Sequence, residues 1–324
     1  MWRKHSISLL VLIAISTLAI GYPHGSDPWF SFLNSNQISK ELFYIYRLPE
    51  IITAFIAGSS LAISGLILQT ILNNPLAGPS ILGITSGSHF MVAIVLMGGS
   101  LLGFQLLEIG LAFASMFGAF ALCFLILILS LRVKSMVSLL LIGVMLGTLF
   151  SAITNIILMK ADAVSVKAFS IWGMGSLKQV TLEQTPLLIG IFVIGFLFSI
   201  LLSKSLNALV LGEKSASVLG IQTKSVRWKS ILVVSLLTGV ITSFCGPIGF
   251  VGLIVPNLVR MYYKTANHIH LIIASSILGA STLIFCSLLI RVFEPFIVLP
   301  INSLTSFIGA PIVLYLLLKK IKNA

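Results

Sequence analysis

Long apolar runs alternate with short polar breaks along nearly the whole chain. A membrane-spanning helix needs about 20 predominantly apolar residues, so the pattern predicts ten spans. The eighth is short for a bilayer, and irregular backbone is therefore expected near Gly246 and Pro247. The predicted spans cover residues 6–21, 51–72, 90–107, 109–131, 137–158, 186–202, 230–245, 250–262, 269–292 and 297–318.

Composition supports a membrane location for the whole chain. Of its 324 residues, 58% are hydrophobic and only 9% are charged, whereas a soluble domain has about 25% charged residues. No linker divides the sequence, so residues 1–324 are predicted to form one all-α polytopic domain. Residues 1–22 are either a first span or a cleaved signal peptide, because Ala19 and Gly21 give a small-x-small ending. We expect a retained span.

The distribution of positive charge sets the expected orientation. Placing the N- and C-termini in the cytoplasm puts most of the 20 lysines and arginines on the cytoplasmic side, as the positive-inside rule requires. The net charge of +12 therefore indicates membrane topology and not a nucleic-acid partner.

Several kinds of chemistry are missing from the sequence. No Gly-x-x-x-x-Gly-Lys-Ser/Thr sequence is present to cradle ATP, and no acidic residue falls in the middle of a span, as an ion-coupled carrier usually requires. Cys123, Cys245 and Cys286 lie in apolar runs without paired spacing and are expected to be buried thiols. We predict no enzyme activity, no cofactor and no metal site.

The longest polar interruption in the second half of the chain covers residues 204–229. It contains five basic residues and one acid, Glu213, and its apolar residues recur at near-helical spacing. One or two short amphipathic helices, broken at Gly212 and Gly220, are predicted on the cytoplasmic side. Such a segment is either a solvated charged loop or a docking surface for a cytoplasmic partner.

The second predicted span is rich in small and hydroxylated residues, including Ser60, Ser64 and Gln69. Such residues either allow close helix packing or line a pore. Residues 73–88, with two prolines and three glycines, are predicted to form a broken re-entrant segment covered by protein.

Three stretches resemble one family. They are RLPEIITAFIAGSSLAISGLILQTILNNPLAGPSILGITSGS at residues 47–88, GPIGFVGLIVPNLVR at 246–260 and LPINSLTSFIGAPIVLYLL at 299–317. All are similar to the FecCD-type permeases of ABC importers, which take up iron chelates (siderophore or haem) and cobalamin. The resemblance covers nearly the whole chain.

The resemblance implies a function and a set of partners. Two permeases, identical or paralogous, would form a pathway in the bacterial cytoplasmic membrane for a ferric siderophore, haem or cobalamin. Two cytoplasmic ATPase subunits would drive transport, and an extracytoplasmic substrate-binding protein would deliver the ligand. The alternative is a secondary ion-coupled carrier that works without an ATPase, and the identity of the neighbouring reading frames would discriminate the two. A structural scaffold is a weaker alternative.

The resemblance also implies roles for particular residues. Where the family often has a second basic residue after its Arg-Leu-Pro motif, this chain has Glu50, which can pair with Arg47. The implied sites are ATPase coupling (Leu206, Val210, Gly212, Glu213, Ala216, Leu219, Gly220), the translocation pathway (Ser60, Ser64, Gln69, Thr154, Asn155), the inner gate (Met136, Val137, Ser138) and binding-protein docking (Arg47, Glu50, Arg291).

Overall fold

The structure is a computed structural model that describes residues 2–22, 37–102, 108–133 and 136–322. The described part of the chain is helical and contains no strand. Its helices are α1 (Trp2–Gly21), α2 (Gln37–Leu42), a π-helical turn (Phe43–Arg47), α3 (Leu48–Ile71), a 3-10 turn (Pro79–Leu82), α4 (Ile84–Leu102), α5 (Glu108–Arg132), α6 (Met136–Leu158), α7 (Ala163–Gly173), α8 (Thr185–Leu209), α9 (Glu213–Val218), α10 (Thr223–Cys245), α11 (Val251–Tyr263), α12 (His268–Phe293) and α13 (Ile301–Lys322).

The prediction of an all-α, multi-span protein is confirmed. Within the described ranges, seven helical stretches are long and apolar enough to cross a bilayer, namely those in α1, α3, α5, α6, α8, α10 and α12. Helices α4 and α13 contain shorter apolar stretches. Helix α11 has 13 residues, so it is shorter than a span, as expected for the eighth predicted segment. The number of spans and the orientation of the termini stay predictions.

Helix α3 forms the centre of the bundle. It is enclosed by α8, α10, α11 and α12, and nearly all of its side chains are buried. In lipid, helices associate through close packing and hydrogen bonds, since burial of apolar surface gives them little advantage. The small residues of α3 allow its neighbours to approach closely.

Three pairs of glycines mark the closest approaches. A methyl group at Gly58 of α3 would lie 2.1 Å from the carbonyl oxygen of Gly279 in α12. A methyl group at Gly65 would lie 1.6 Å from the carbonyl oxygen of Gly252 in α11. Gly87 of α4 and Gly118 of α5 form the third pair. Glycine at these crossings allows backbone to touch backbone.

Some predicted boundaries are wrong. Helix α8 continues to Leu209 and α10 begins at Thr223, so the irregular segment between them is shorter than the predicted interruption at 204–229. The broken segment after α3 ends at Gly83, and Ser88 already lies within α4. Helix α7 was not predicted, although Asp162 caps it by accepting hydrogen bonds from the amides of Val164 and Ser165.

The two irregular segments, 72–83 and 246–250, meet inside the bundle. The side-chain amide of Asn257 donates to the carbonyl of Pro75 at 2.8 Å, which ties α11 to the first segment. Gly252, at the start of α11, packs on Gly65 well within α3. Helix α11 therefore begins inside the bundle and not at its surface.

Candidate functional site

A partly buried arginine joins α11 to the end of α3. The guanidinium group of Arg260 donates to the side-chain oxygen of Gln69 at 2.9 Å and to the hydroxyl of Thr70 at 3.1 Å. The amide nitrogen of Gln69 donates to the carbonyl of Leu253 at 3.0 Å. Both polar ends of the Gln69 side chain are therefore used within the chain.

The same hydrogen-bond network continues to α8. The hydroxyl of Thr70 contacts the imidazole Nε2 of His268 at 2.9 Å, and the Nδ1 of His268 lies 2.8 Å from the side-chain oxygen of Asn207. Asn207 is near the end of α8, a few residues before α9. We call Gln69, Thr70, Asn207, Arg260 and His268 the α9-end network.

The predicted coupling segment contains one short helix, α9, which lies between two left-handed glycines. Gly212 has φ of 95° and Gly220 has φ of 79°, conformations that glycine adopts without strain. The predicted helix breaks at these two residues are confirmed. Glu213 forms an ion pair with the buried guanidinium of Arg227 in α10 and so holds α9 against the bundle.

Two of the predicted coupling residues point into the chain. Leu206 and Ala216 are fully buried, so neither can be an apolar anchor for a partner in this conformation. The exposed apolar side chains lie on the other side of the segment, where Val218 is 88% exposed and Leu219 is 62% exposed. Val210 and Leu211 are also exposed, and Leu211 and Val218 were missed by the sequence analysis. We call these four residues the α9 apolar edge.

The predicted pathway residues fall into two groups. Ser60, Ser64 and Gln69 are buried among neighbouring helices, which matches the helix-packing alternative for this conformation. In α6, the Thr154 hydroxyl donates to the carbonyl of Phe150, and the side chain is buried. Asn155 is exposed. A pathway role stays a prediction for all five.

The exposed surface of α6 has a polar stripe that the sequence analysis did not identify. Thr148 and Ser151 lie on the same face as Asn155, at helical spacing, and all three are exposed. Leu149 and Ile156 are also exposed but project from a different side of the helix. Of the predicted gate residues, Ser138 is exposed in the first turn of α6, whereas the side chains of Met136 and Val137 lie outside the described ones.

The predicted docking residues are buried at the opposite end of the bundle from α9. Arg47, Glu50 and Arg291 are only 4%, 5% and 4% exposed. Arg291 donates to the Glu50 carboxylate at 2.8 Å and to the carbonyl of Ala19 at 2.8 Å. The sequence analysis considered a pair between Glu50 and Arg47, whereas the structure places Glu50 against Arg291. The docking assignment stays a prediction and requires that these side chains become accessible.

Comparisons with known proteins point to one family along nearly the whole chain. A model of the FecCD transport family matches residues 7–319. The chain is 33% identical to the vitamin B12 import system permease protein BtuC of Vibrio parahaemolyticus, over 98% of this chain and 95% of that protein. It is 35% identical to the molybdate import system permease protein MolB of Haemophilus influenzae, over 94% of this chain and 91% of that protein. It is 30% identical to the hemin transport system permease protein HmuU of Yersinia pestis, over 96% of this chain and 93% of that protein.

A solved structure has the same fold. An inward-facing conformation of a metal-chelate type ABC transporter aligns with a TM-score of 0.87 at 30% identity, over 98% of this chain and 100% of that chain. A bundle of long apolar helices packed around one buried helix is the architecture of a multi-pass membrane protein. The family match is more specific: the chain belongs to the FecCD transport family. These relatives give no support to the ion-coupled carrier alternative.

Proposed function

We propose that the chain is the transmembrane permease subunit of an ABC importer in the bacterial cytoplasmic membrane, and that a separate ATPase subunit drives it. The observation that supports this role most directly is the α9 apolar edge. Val218 and Leu219 project from a short helix whose base is fixed by the ion pair between Glu213 and Arg227. Exposed apolar side chains on a rigid element are suited to a groove on a partner protein.

A second permease subunit is the expected partner within the membrane. Helices α6 and α13 are widely exposed in the single chain, and Met145, Phe307 and Tyr315 are among the apolar side chains left uncovered. In a pair of permeases, identical or paralogous, the polar stripe of α6 would face the pathway while the apolar positions face lipid or the seam. An extracytoplasmic substrate-binding protein would deliver the ligand at the Arg291 end.

The proposed cargo is a metal-containing solute, with a ferric siderophore as the first expectation. The relatives are import permeases for vitamin B12, hemin and molybdate, and the solved neighbour is of the metal-chelate type. All of these cargoes contain a metal ion, but they differ greatly in size. The cargo therefore has to be identified by experiment within this class.

Reconstitution tests the proposal. The chain is placed in liposomes together with the ATPase and binding protein encoded beside it, and uptake of ferric siderophore, haem, cobalamin and molybdate is measured. We expect uptake of one of them only when ATP and all components are present. Accumulation driven by a proton gradient without the ATPase would contradict the permease assignment. Uptake of haem, cobalamin or molybdate alone would contradict the siderophore assignment only.

A further inference from the structure

A groove of about 460 Å³ lies between α8 and α10, at the end of the bundle that carries α9. Both helices contain a stretch that is long and apolar enough to cross a bilayer, and α9 lies between them in the chain. The described lining is apolar except for two side chains, Ser205 of α8 and Lys229 of α10, which lie toward α9. The groove therefore combines a long apolar part with a polar mouth.

The walls of the groove are open to its surroundings. Leu201 of α8 and Leu232 of α10 are exposed on its two sides, whereas Leu202 and Val233 behind them are buried. In a membrane, an apolar surface that protein does not cover is in contact with acyl chains, which are as apolar as leucine. The shape and charge of the groove decide whether it takes a lipid or a protein segment.

The groove ends near the middle of the two spans. Its lining stops at Phe198 and Leu236, next to the point where the side chain of Leu237 packs on Gly195. From Gly195 to Ser205, α8 rises by about 15 Å, which is half of the hydrocarbon core of about 30 Å. A partner helix that crosses the bilayer would need a surface through both leaflets. A groove confined to one leaflet therefore favours a lipid chain.

Basic side chains lie at the polar mouth. Lys229 lines it, and Lys204 is exposed one turn beyond Leu201 on the same side of α8. The described lining residues include no acid, and Glu213 of α9 is already paired with Arg227. A lysine lays its apolar stem along such a surface and keeps its ammonium group at the level of the lipid phosphates. The charge therefore favours an anionic headgroup over a zwitterionic one.

We propose that this groove binds one membrane phospholipid with an anionic headgroup. The phosphate lies beside Lys229 and Lys204, and one acyl chain follows the groove toward the crossing of Gly195 and Leu237. Burial of the chain alone gives little affinity, because the bilayer is as apolar as the groove. The preference comes from the headgroup charge and from contacts of the chain with both helices. This site is independent of the cargo and of the importer function proposed above.

Native mass spectrometry of the purified full chain tests the site, because lipids that stay bound are identified by their mass. The probes are equal amounts of dioleoyl phosphatidylglycerol, which is anionic, and dioleoyl phosphatidylcholine, which is zwitterionic and has the same acyl chains. Lys229→Gln removes the charge that lines the groove. Its matched control is Lys224→Gln, which changes an exposed lysine of α10 outside the described lining.

A second pair of variants tests the apolar part of the groove. Leu236→Trp fills the groove near its closed end, and Leu232→Trp fills it from the wall if the first variant fails to fold. Leu187→Trp is the control for an added tryptophan, since Leu187 is exposed near the opposite end of α8.

We expect wild type to retain phosphatidylglycerol in preference to phosphatidylcholine. Lys229→Gln should reduce this preference about fivefold, the equivalent of about 1 kcal/mol for one basic residue near anionic lipid. The two groove-filling variants should lose the bound lipid. Lys224→Gln and Leu187→Trp should behave like wild type.

The proposal is overturned if wild type shows no preference between the two lipids, or if both groove-filling variants keep the bound lipid. Equal effects of Lys229→Gln and Lys224→Gln would also overturn it, because they would show a diffuse attraction to the basic surface. The same spectra report oligomers. If Leu236→Trp removes a dimer that wild type forms and leaves the bound lipid unchanged, a second copy of the chain occupies the groove and the lipid assignment is wrong.

Discussion

The carboxylate of Glu50 and the guanidinium of Arg291 lie 2.8 Å apart, at the end of the bundle opposite α9, with both side chains almost completely buried. This pair is one of several contacts between the antiparallel helices α3 and α12. Others are the crossing of Gly58 and Gly279, the hydroxyl of Ser59 that donates to the carbonyl of Ser276 at 2.9 Å, and the contact of Thr70 with His268. The two helices are therefore joined near both ends and in the middle.

Removing one partner of this ion pair should strongly destabilise the protein. Arg291→Met leaves the Glu50 carboxylate buried without its counter-charge, and we expect a loss of about 3–5 kcal/mol, measured as a lower Tm in detergent. The double variant Glu50→Leu with Arg291→Met should recover much of that loss, because no charge then remains buried. The matched control is Lys178→Met, which breaks the exposed pair with Glu294 and should cost about 1 kcal/mol or less. Equal effects of Arg291→Met and Lys178→Met would contradict the structural role.

Close packing predicts a different effect at the glycine crossings. Gly65→Ala places a methyl group 1.6 Å from the Gly252 carbonyl oxygen, so α3 and α11 have to separate. We expect a loss of about 1–3 kcal/mol, as for other overpacked cores, with a lower Tm. Gly190→Ala in α8 is the control, because a methyl group there meets nothing within 4 Å. It should be neutral or slightly stabilising, and equal destabilisation by both changes would show that the crossing is not close.

The α9 apolar edge should be required for binding of the ATPase subunit. Leu219→Asp and Val218→Asp place a charge in the expected apolar contact, and we predict loss of ATPase co-purification and of transport with normal insertion into the membrane. Ser215→Asp is the control, since it adds the same charge to an exposed position of α9 without removing an apolar side chain. Leu206→Asp should behave differently and impair folding, because Leu206 is fully buried. Normal transport by Leu219→Asp and Val218→Asp would refute the docking role.

The sequence was sufficient to predict elements that depend on local patterns. The length of the apolar runs predicted helices that overlap every assigned span, and Gly212 and Gly220 predicted where α9 begins and ends. The family resemblance was also confirmed. The helices and the two ends of α9 depend on residues that are neighbours in the sequence, so a single sequence was enough to predict them.

Partners that are distant in the sequence could not be predicted in the same way. The resemblance implies a pathway role for Gln69, but its sequence neighbours do not show that its side-chain oxygen accepts from Arg260 in α11. Glu50 looked like a partner of nearby Arg47, but it faces Arg291 in α12. Helical spacing identified the apolar positions around α9 but could not tell that Leu206 faces the bundle and Val218 faces outwards.

Thiol reactivity can distinguish residues that pack between helices from residues that line the pathway. The structure changes the expectation for Gln69, whose side chain is enclosed and hydrogen-bonded at both its oxygen and its nitrogen, so Gln69→Cys should be protected from a water-soluble thiol reagent in this conformation. The α6 stripe should behave in the opposite way. Thr148→Cys, Ser151→Cys and Asn155→Cys should react, because a thiol becomes reactive as the thiolate, which needs water.

The measurement is the rate of labelling in proteoliposomes, with Cys123, Cys245 and Cys286 first replaced by alanine. Leu149→Cys and Ile156→Cys are the matched controls, since these positions are also exposed on the single chain but lie on a different side of α6. If that side faces lipid, these two thiols stay unreactive while the stripe is labelled. Labelling of both sides at the same rate would mean that α6 is surrounded by water, and protection of both sides would mean that the stripe packs against another helix. Either outcome would contradict a pathway role for α6. Labelling of the stripe alone would indicate that the pathway lies on the side of α6 that carries Thr148, Ser151 and Asn155.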